Sequence, residues 1–410
     1  MAIDTISTAK DEVLFVTAEA DFGTLEYPVA ADVVPLITDA VFTQPKTFLS
    51  DPQKKMTISE LPKLSLGFEP GQFSFTMFLK PSGALGTPPK GSEIIAAGFG
   101  EAAAVVGSTS VIYNLGGIND DVMGLSFTHR FGHMVTFNSG CIVDKLVFPV
   151  KADESQDALG QVQVSGTFCK QVMAGYAYAF HATEYPIGAT DIVVKSAGGV
   201  LDARQFEVGC QVQFRNPTTG AVVDNNSGAG FTVSASVLAT GTITIPALLV
   251  AVPTGSIVDG FVPTASDGGS TVFGRLGSAQ ECLAGGALAD ILIFDSSVEI
   301  TNNFKLKANE KTSNLYPITA FRAGNRQVLY TCNKVFRKGE ALYYAESKAQ
   351  TQKHVSIPVG NVAAYRYTFD MPLVVYNDPV LSGGEELGIG LTGTAIASAA
   401  FDDELTLTMI

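Results

Sequence analysis

One pattern occurs twice in this chain, and it restricts the possible folds more than any other feature. In the first half an alternating segment, Phe73 to Lys80 (FSFTMFLK), leads through Pro and Gly to SEIIAAGFGE at Ser92 to Glu101. In the second half Gln327 to Phe336 (QVLYTCNKVF) leads through Arg337, Lys338 and Gly339 to EALYYAESKA at Glu340 to Ala349. Farther on, the Gly-spaced segment Leu159 to Thr167 (LGQVQVSGT) is echoed by Leu387 to Thr394 (LGIGLTGT), with one residue fewer. Solenoid repeats recur every 20 to 50 residues or so, and self-similarity at this much longer period argues instead for two copies of one unit. A chain built twice from one unit is a natural component of a ring.

At 410 residues the chain exceeds what one hydrophobic core usually supports, which predicts two or three domains. Hydrophobic residues make up 46% and charged residues 16%, which excludes a disordered chain and suggests that neighbouring subunits cover part of the apolar surface. The formal charge is −14, so tight attraction to nucleic-acid phosphates is disfavoured, although a sliding contact with DNA is compatible with it. The polar start Met1 to Val13 lacks the basic and apolar regions of a signal peptide. The longest apolar stretch, Ile243 to Val252, is broken by Pro246 and is too short to cross a bilayer as a helix. Cys141, Cys169, Cys210, Cys282 and Cys332 are scattered and odd in number, which reads as reduced, mostly buried thiols made in a cytosol.

Strand signals dominate: Leu14 to Ala18, Met56 to Leu61, Leu64 to Phe68, Phe73 to Leu79, Leu125 to Phe137 and Ile142 to Val150. Helical spacing is convincing in two places, Ser92 to Glu101 and Glu340 to Ala349, the second with Leu342, Ala345 and Ala349 on one stripe. Between the halves lie short strand signals with frequent turns, in Gln205 to Phe214, Phe231 to Ile245 and Ser256 to Val262. The expected organisation is a first β domain over 1–184, an inserted small β-barrel or sandwich over 185–263, and a second β domain over 264–410.

No constellation carries catalytic chemistry. His129 and His133 sit four apart in LSFTHRFGHMVTF, but the alternation from Leu125 to Phe137 predicts one strand. There the two lie on one face roughly 13 Å apart, too far to share a metal. Pro88-Pro89-Lys90-Gly91-Ser92 lacks the order of a phosphate loop, and Ser92 is expected to cap the following helix. Asp402-Asp403-Glu404 would alternate faces on an extended chain, and solvated acids are expected there. His181 and His354 stand alone. No nucleophile, paired-carboxylate or metal-ligand spacing is present, so neither an enzyme nor a bound cofactor or metal is expected.

The succession Phe73 to Glu101, a long β-rich stretch, Val298 to Ala345 and the closing FDDELTLTMI (Phe401 to Ile410) resembles the tail tube, or major tail, proteins of long-tailed, non-contractile bacteriophages, in their large form with a duplicated tube domain. The resemblance covers both repeats, about three quarters of the chain. It implies a mainly β fold with two β-sandwich or half-barrel tube domains, each flanked by one α-helix, plus the inserted β-domain. It further implies self-association into trimeric rings with pseudo-sixfold symmetry, stacked into the hollow tube of a virion made in the bacterial cytoplasm. The implied partners are a tape measure protein, tail terminator and distal tail proteins, and double-stranded DNA in transient, non-specific passage, without membrane insertion.

Three expectations accompany it. The lysine-bearing segments Thr43 to Glu60 and Thr301 to Leu315 are counterparts able to reach a neighbouring ring. A closed ring would remove exposed sheet edges. A neutral or acidic channel would avoid holding DNA. The competing readings are another phage tail, baseplate or decoration protein, and a receptor- or glycan-binding β-protein that recognises its target through Tyr185 to Pro263.

Overall fold

The computed structural model of the protein describes all residues except 1–11, 51–62, 103, 107, 117–121, 152–159, 197, 267, 273–275, 308–315, 318, 384–386 and 399–401. The predicted strand Met56 to Leu61 therefore lies outside the described residues. The fold is mainly β, with several sheets and two α-helices longer than one turn among the described residues. No helix there is long and apolar enough to cross a membrane.

Two compact units are present, each assembled from distant stretches. Unit 1 gathers 1–34, 126–141 and 168–266, and unit 2 gathers 35–125, 142–167 and 267–410. The segment 185–263 belongs to unit 1. Its sheet runs in the spatial order 222–224, 211–215, 257–260, 176–179, 191–195, 242–244, 235–237. Phe137, Phe206, Phe214 and Phe231 are fully buried in its core, and at about 25 cal/mol per Å2 such rings dominate the apolar stabilisation.

Unit 2 contains both copies of the repeated pattern. The first comprises β1 (Val41–Thr43), β2 (Gly71–Phe78), α1 (Ser92–Phe99), the later part of β3 (Met134–Lys151), and β4 (Gln161–Phe168). The second comprises β5 (Asp295–Thr301), β6 (Gln327–Val335), α2 (Leu342–Lys348), β7 (Tyr367–Tyr376), β8 (Val380–Ser382) and β9 (Gly388–Ala395). Pairing follows the same order in each, β1-β2-β4-β3 and β5-β6-β9 with β7 and β8. Even irregularities recur. From Val143↔Gly166 to Val147↔Gln163 four residues are taken along β3 against three along β4, because Asp144 bulges. From Tyr376↔Gly393 to Val380↔Gly390 the chain again takes four residues against three. The closing pairs match as well, Thr43↔Gln72 in one module and Thr301↔Gln327 in the other.

The modules are joined edge to edge. β3 and β5 form seven antiparallel pairs, from Lys145↔Thr301 to Lys151↔Asp295. Phe148 lies at this seam with its ring against both Phe99 and Phe369, at centroid distances of 6.4 and 5.0 Å. Each module also sends out a hairpin between its first two strands, Lys46–Ser50 with Lys63–Phe68 and Phe304–Lys307 with Thr319–Arg322. The hairpins occupy the counterpart segments expected to reach outward, and most of the residues between their strands lie outside the described residues.

Candidate functional site

Successive residues of a strand point to opposite faces, so the burial pattern of the unit 2 sheet separates a core face from an open one. Val298, Ile300, Val328, Tyr330, Phe148 and Leu391 are buried on the core face. The open face presents Ser74 and Thr76 of β2, Ser165 of β4, Ser297 and Thr301 of β5, Thr331 of β6, and Thr392 and Thr394 of β9. Cross-strand pairs keep these hydroxyls in rows, as in Ser297↔Thr331, whose side chains are hydrogen bonded at 2.7 Å. Charged groups are few. Lys145 pairs with Glu299 at 2.7 Å across the seam, and Asp295 accepts from Asn333 Nδ2 at 2.6 Å. The Lys145–Glu299 pair is partly exposed and contributes about 1 kcal/mol or less. Two shallow depressions of about 380 and 300 Å3 lie on this face over β1, β2, β4 and β3. Among the described residues the surface offers hydroxyls and amides with no basic excess, a composition that attracts phosphates weakly.

Unit 1 carries a groove of about 660 Å3 beside Tyr27, Gln211, Gln213, Arg215 and Phe261. Arg215 Nε donates to Asp259 Oδ2 at 3.1 Å, and Arg130 stands 3.8 Å from the same oxygen. Burial raises the pKa of Asp259, and the two guanidinium groups act against that rise.

The histidines take structural places. His129 is on the strand Leu125–Phe131, buried, with Nε2 2.7 Å from Glu12 Oε1. The predicted continuous strand from Leu125 to Phe137 is instead a hairpin, because Gly132, at φ 61°, and His133 turn the chain. His133 sets its ring at a tilt against Tyr176, with centroids 5.0 Å apart. His354 Nε2 lies 2.9 Å from Asp370 Oδ1, and His181 Nδ1 accepts from the Thr183 amide. Among the described residues no three His, Cys, Asp or Glu side chains converge as a metal site. The five cysteines are thiols, four of them buried, and burial pushes Cys169, Cys210 and Cys332 up to about 12, which suppresses thiolate chemistry.

Three local expectations are corrected. Ser92 does not cap α1: Gly91, at φ 73°, is the N-cap residue, and the Ser92 hydroxyl bonds Tyr113 OH at 2.8 Å. The acids near the C-terminus are half-buried and not fully solvated, with Asp403 accepting from the Ser398 amide at 2.7 Å and from its hydroxyl. On α2 the stripe Leu342, Ala345, Ala349 faces solvent, and Tyr343 is the buried residue.

The inward face of α2 is polar because an ion network receives it. Lys353 Nζ lies 3.1 Å from Glu281 Oε1 and 2.9 Å from Glu346 Oε1, and Lys334 Nζ lies 3.0 Å from Glu340 Oε2. The hydroxyls of Tyr343 and Tyr376 donate to Glu281, and Lys334 Nζ donates to the Tyr343 oxygen at 3.0 Å. Burial, then the Glu281 charge, raises the Tyr343 phenol pKa, so it stays protonated. Sequence reasoning missed this cluster. Glu281 sits in AQECLAGG, where nothing local signals a buried acid, and its partners are distant in the chain.

No protein-family model matches the chain, and comparison with curated proteins finds no match.

Proposed function

We propose that this chain is a structural assembly subunit that forms rings, stacked into a tube of the phage-tail type, and that it performs no catalysis. One observation carries the reading: a single chain holds two copies of one sheet module, in the same strand order and with the same four-against-three step in the ladder, joined edge to edge by the β3–β5 ladder. A module that adds to its own copy through a sheet edge is a head-to-tail unit, and head-to-tail contacts close into rings when the rotation permits. With two modules per chain, three chains make a pseudo-sixfold ring.

In this reading the hydroxyl-rich open face lines the channel. Its charged groups, Lys145 and Lys151 against Asp39, Asp295 and Glu299, leave no basic excess to hold DNA during passage. The hairpins after β1 and β5 reach the adjoining ring, and a tape measure protein sets the length of the stack. Electron microscopy of the concentrated full-length protein tests the proposal. The expected result is rings or tubes with sixfold modulation, and mass photometry in multiples of three chains. A monomer at every concentration, or closed particles of one fixed size, would sink it.

A further inference from the structure

β8 stands apart from the other strands of the unit 2 sheet. Val380, Leu381 and Ser382 are all exposed, Val380 at 68% and Leu381 at 51%, although the strand pairs along β9. An exposed edge strand with large apolar side chains is a template for another strand, and chains that stay apart normally blunt such an edge with charge. Its counterpart in the first module is the later part of β3. Matching the bulged ladders places Val380 where Val147 stands and Asp378 where Lys145 stands. In the first module that stretch is covered by β5, with Val147 opposite Glu299 and Lys145 opposite Thr301. β5 in turn corresponds to β1 through the matching Thr–Gln pairs, which places Val41 where Glu299 stands and Thr43 where Thr301 stands.

We propose that β8 pairs antiparallel with β1 of a second copy of this chain, in the register of the internal β3–β5 ladder, with Val380 opposite Val41 and Asp378 opposite Thr43. The proposal rests on the ring reading and adds to it the strands and the register. Val41 is 52% exposed, so the pair brings two exposed β-branched side chains into lateral contact. A second feature of the internal seam is reproduced. Asp144 Oδ1 accepts from the Phe304 amide at 2.7 Å, where the hairpin leaves β5. Asn377, an acceptor of the same shape as Asp144, holds the corresponding position. Pro379 replaces Leu146 and brings no amide hydrogen, so this seam has one donor fewer than the internal one. Each copy presents β8 at one end of its sheet and β1 at the other, so the contact propagates in one direction.

Cysteine pairing reads the register directly. In a Cys282→Ser background, which removes the one half-exposed native thiol, Val41→Cys and Val380→Cys are introduced singly. The two full-length variants are mixed under assembly conditions and oxidised with copper phenanthroline. Directly opposed antiparallel residues fall within disulfide reach, whereas a one-residue slip turns the two side chains to opposite faces. The expected result is a covalent dimer from the Val41→Cys and Val380→Cys mixture, and loss of that product when Leu381→Cys replaces Val380→Cys. Dimers formed by Val380→Cys alone would mean that β8 pairs with β8, and would overturn the proposal. Tubes visible by electron microscopy with no cross-link, or with cross-linking only through Leu381→Cys, would overturn the register and leave the ring reading standing. Absence of any assembly in the unmodified protein would overturn both.

Discussion

Helices α1 and α2 occupy the same place in their modules and are held there by different physics. In α1, Ile94, Ile95 and Phe99 are fully buried, each worth about 1.5 to 3 kcal/mol of burial. Gly98 has no side chain, so Leu146 packs onto the helix backbone: a Cβ there would stand 2.2 Å from Leu146 Cδ1. Aligning SEIIAAGFGE with EALYYAESKA puts Tyr343 at the place of Ile95 and Glu346 at the place of Gly98. The second helix therefore keeps the route of the first while exchanging an apolar face for a phenol and a carboxylate, held by Lys353, Glu281 and Lys334. A duplicated module can preserve its strand order while the chemistry that fastens its helix is replaced.

The largest test of this contrast is Glu281→Ala. It leaves Lys353 with one carboxylate and removes the acceptor of two buried phenols, so a loss of about 3 to 5 kcal/mol in denaturant unfolding is expected. A loss under 1 kcal/mol would show that α2 does not depend on the network. Gly98→Ala comes next, at about 1 to 3 kcal/mol, because the added methyl pushes Leu146 out of its rotamer. Glu346→Ala at the matching place of α2 should cost less, since Glu281 still pairs Lys353. Equal losses in the two would erase the distinction drawn between the helices.

A smaller effect tests the α2 network by pH. Burial pulls the Lys353 ammonium down, but the hydrogen bond it donates to Glu346 and the charge of Glu281 outweigh it and leave its pKa above the ordinary 10.5. Tyr343 is raised above the ordinary 10.0. Both folded-state values are raised, so the stabilisation from these groups is complete below their ordinary values and lost as pH rises through the folded ones. Melting temperatures followed by circular dichroism above about pH 10 should fall in the native protein, and with a shallower slope in Lys353→Met. Identical slopes would remove Lys353 from the account. Smallest in stability is Val380→Lys, expected within about 0.5 kcal/mol of the native protein because the side chain is exposed. Its consequence belongs to assembly: a charge on that edge should abolish tubes in micrographs while the melting temperature holds.

What the sequence discloses and what it hides follow from locality. Alternation in FSFTMFLK and QVLYTCNKVF is set by neighbours along the chain, and both segments are the strands they read as. The helices at Ser92 and Leu342 are likewise legible. The inward face of α2 is not, because the apolar stripe Leu342, Ala345, Ala349 outscores a polar face whose partners, Glu281 and Lys353, come from other strands. The His129 to His133 spacing misleads for a related reason: alternation continues on both sides of a two-residue turn, and only the positive φ of Gly132 breaks the run. The open hydroxyl face is built from Ser and Thr at alternate strand positions. Its continuity across two modules depends on β3 pairing with β5, a contact between segments some 150 residues apart that no local pattern encodes.

The chain contains the sheet module twice and unit 1 once. A ring of the proposed kind would carry two periodicities, with the module repeating at half the angular interval of unit 1. In an averaged image of a ring, the strongest low-order harmonic from unit 1 would fall at half the order of that from the modules. A diffraction pattern from tubes would show layer-line intensity forbidden to a ring of identical modules. The harmonic of lower order, from unit 1, counts the chains.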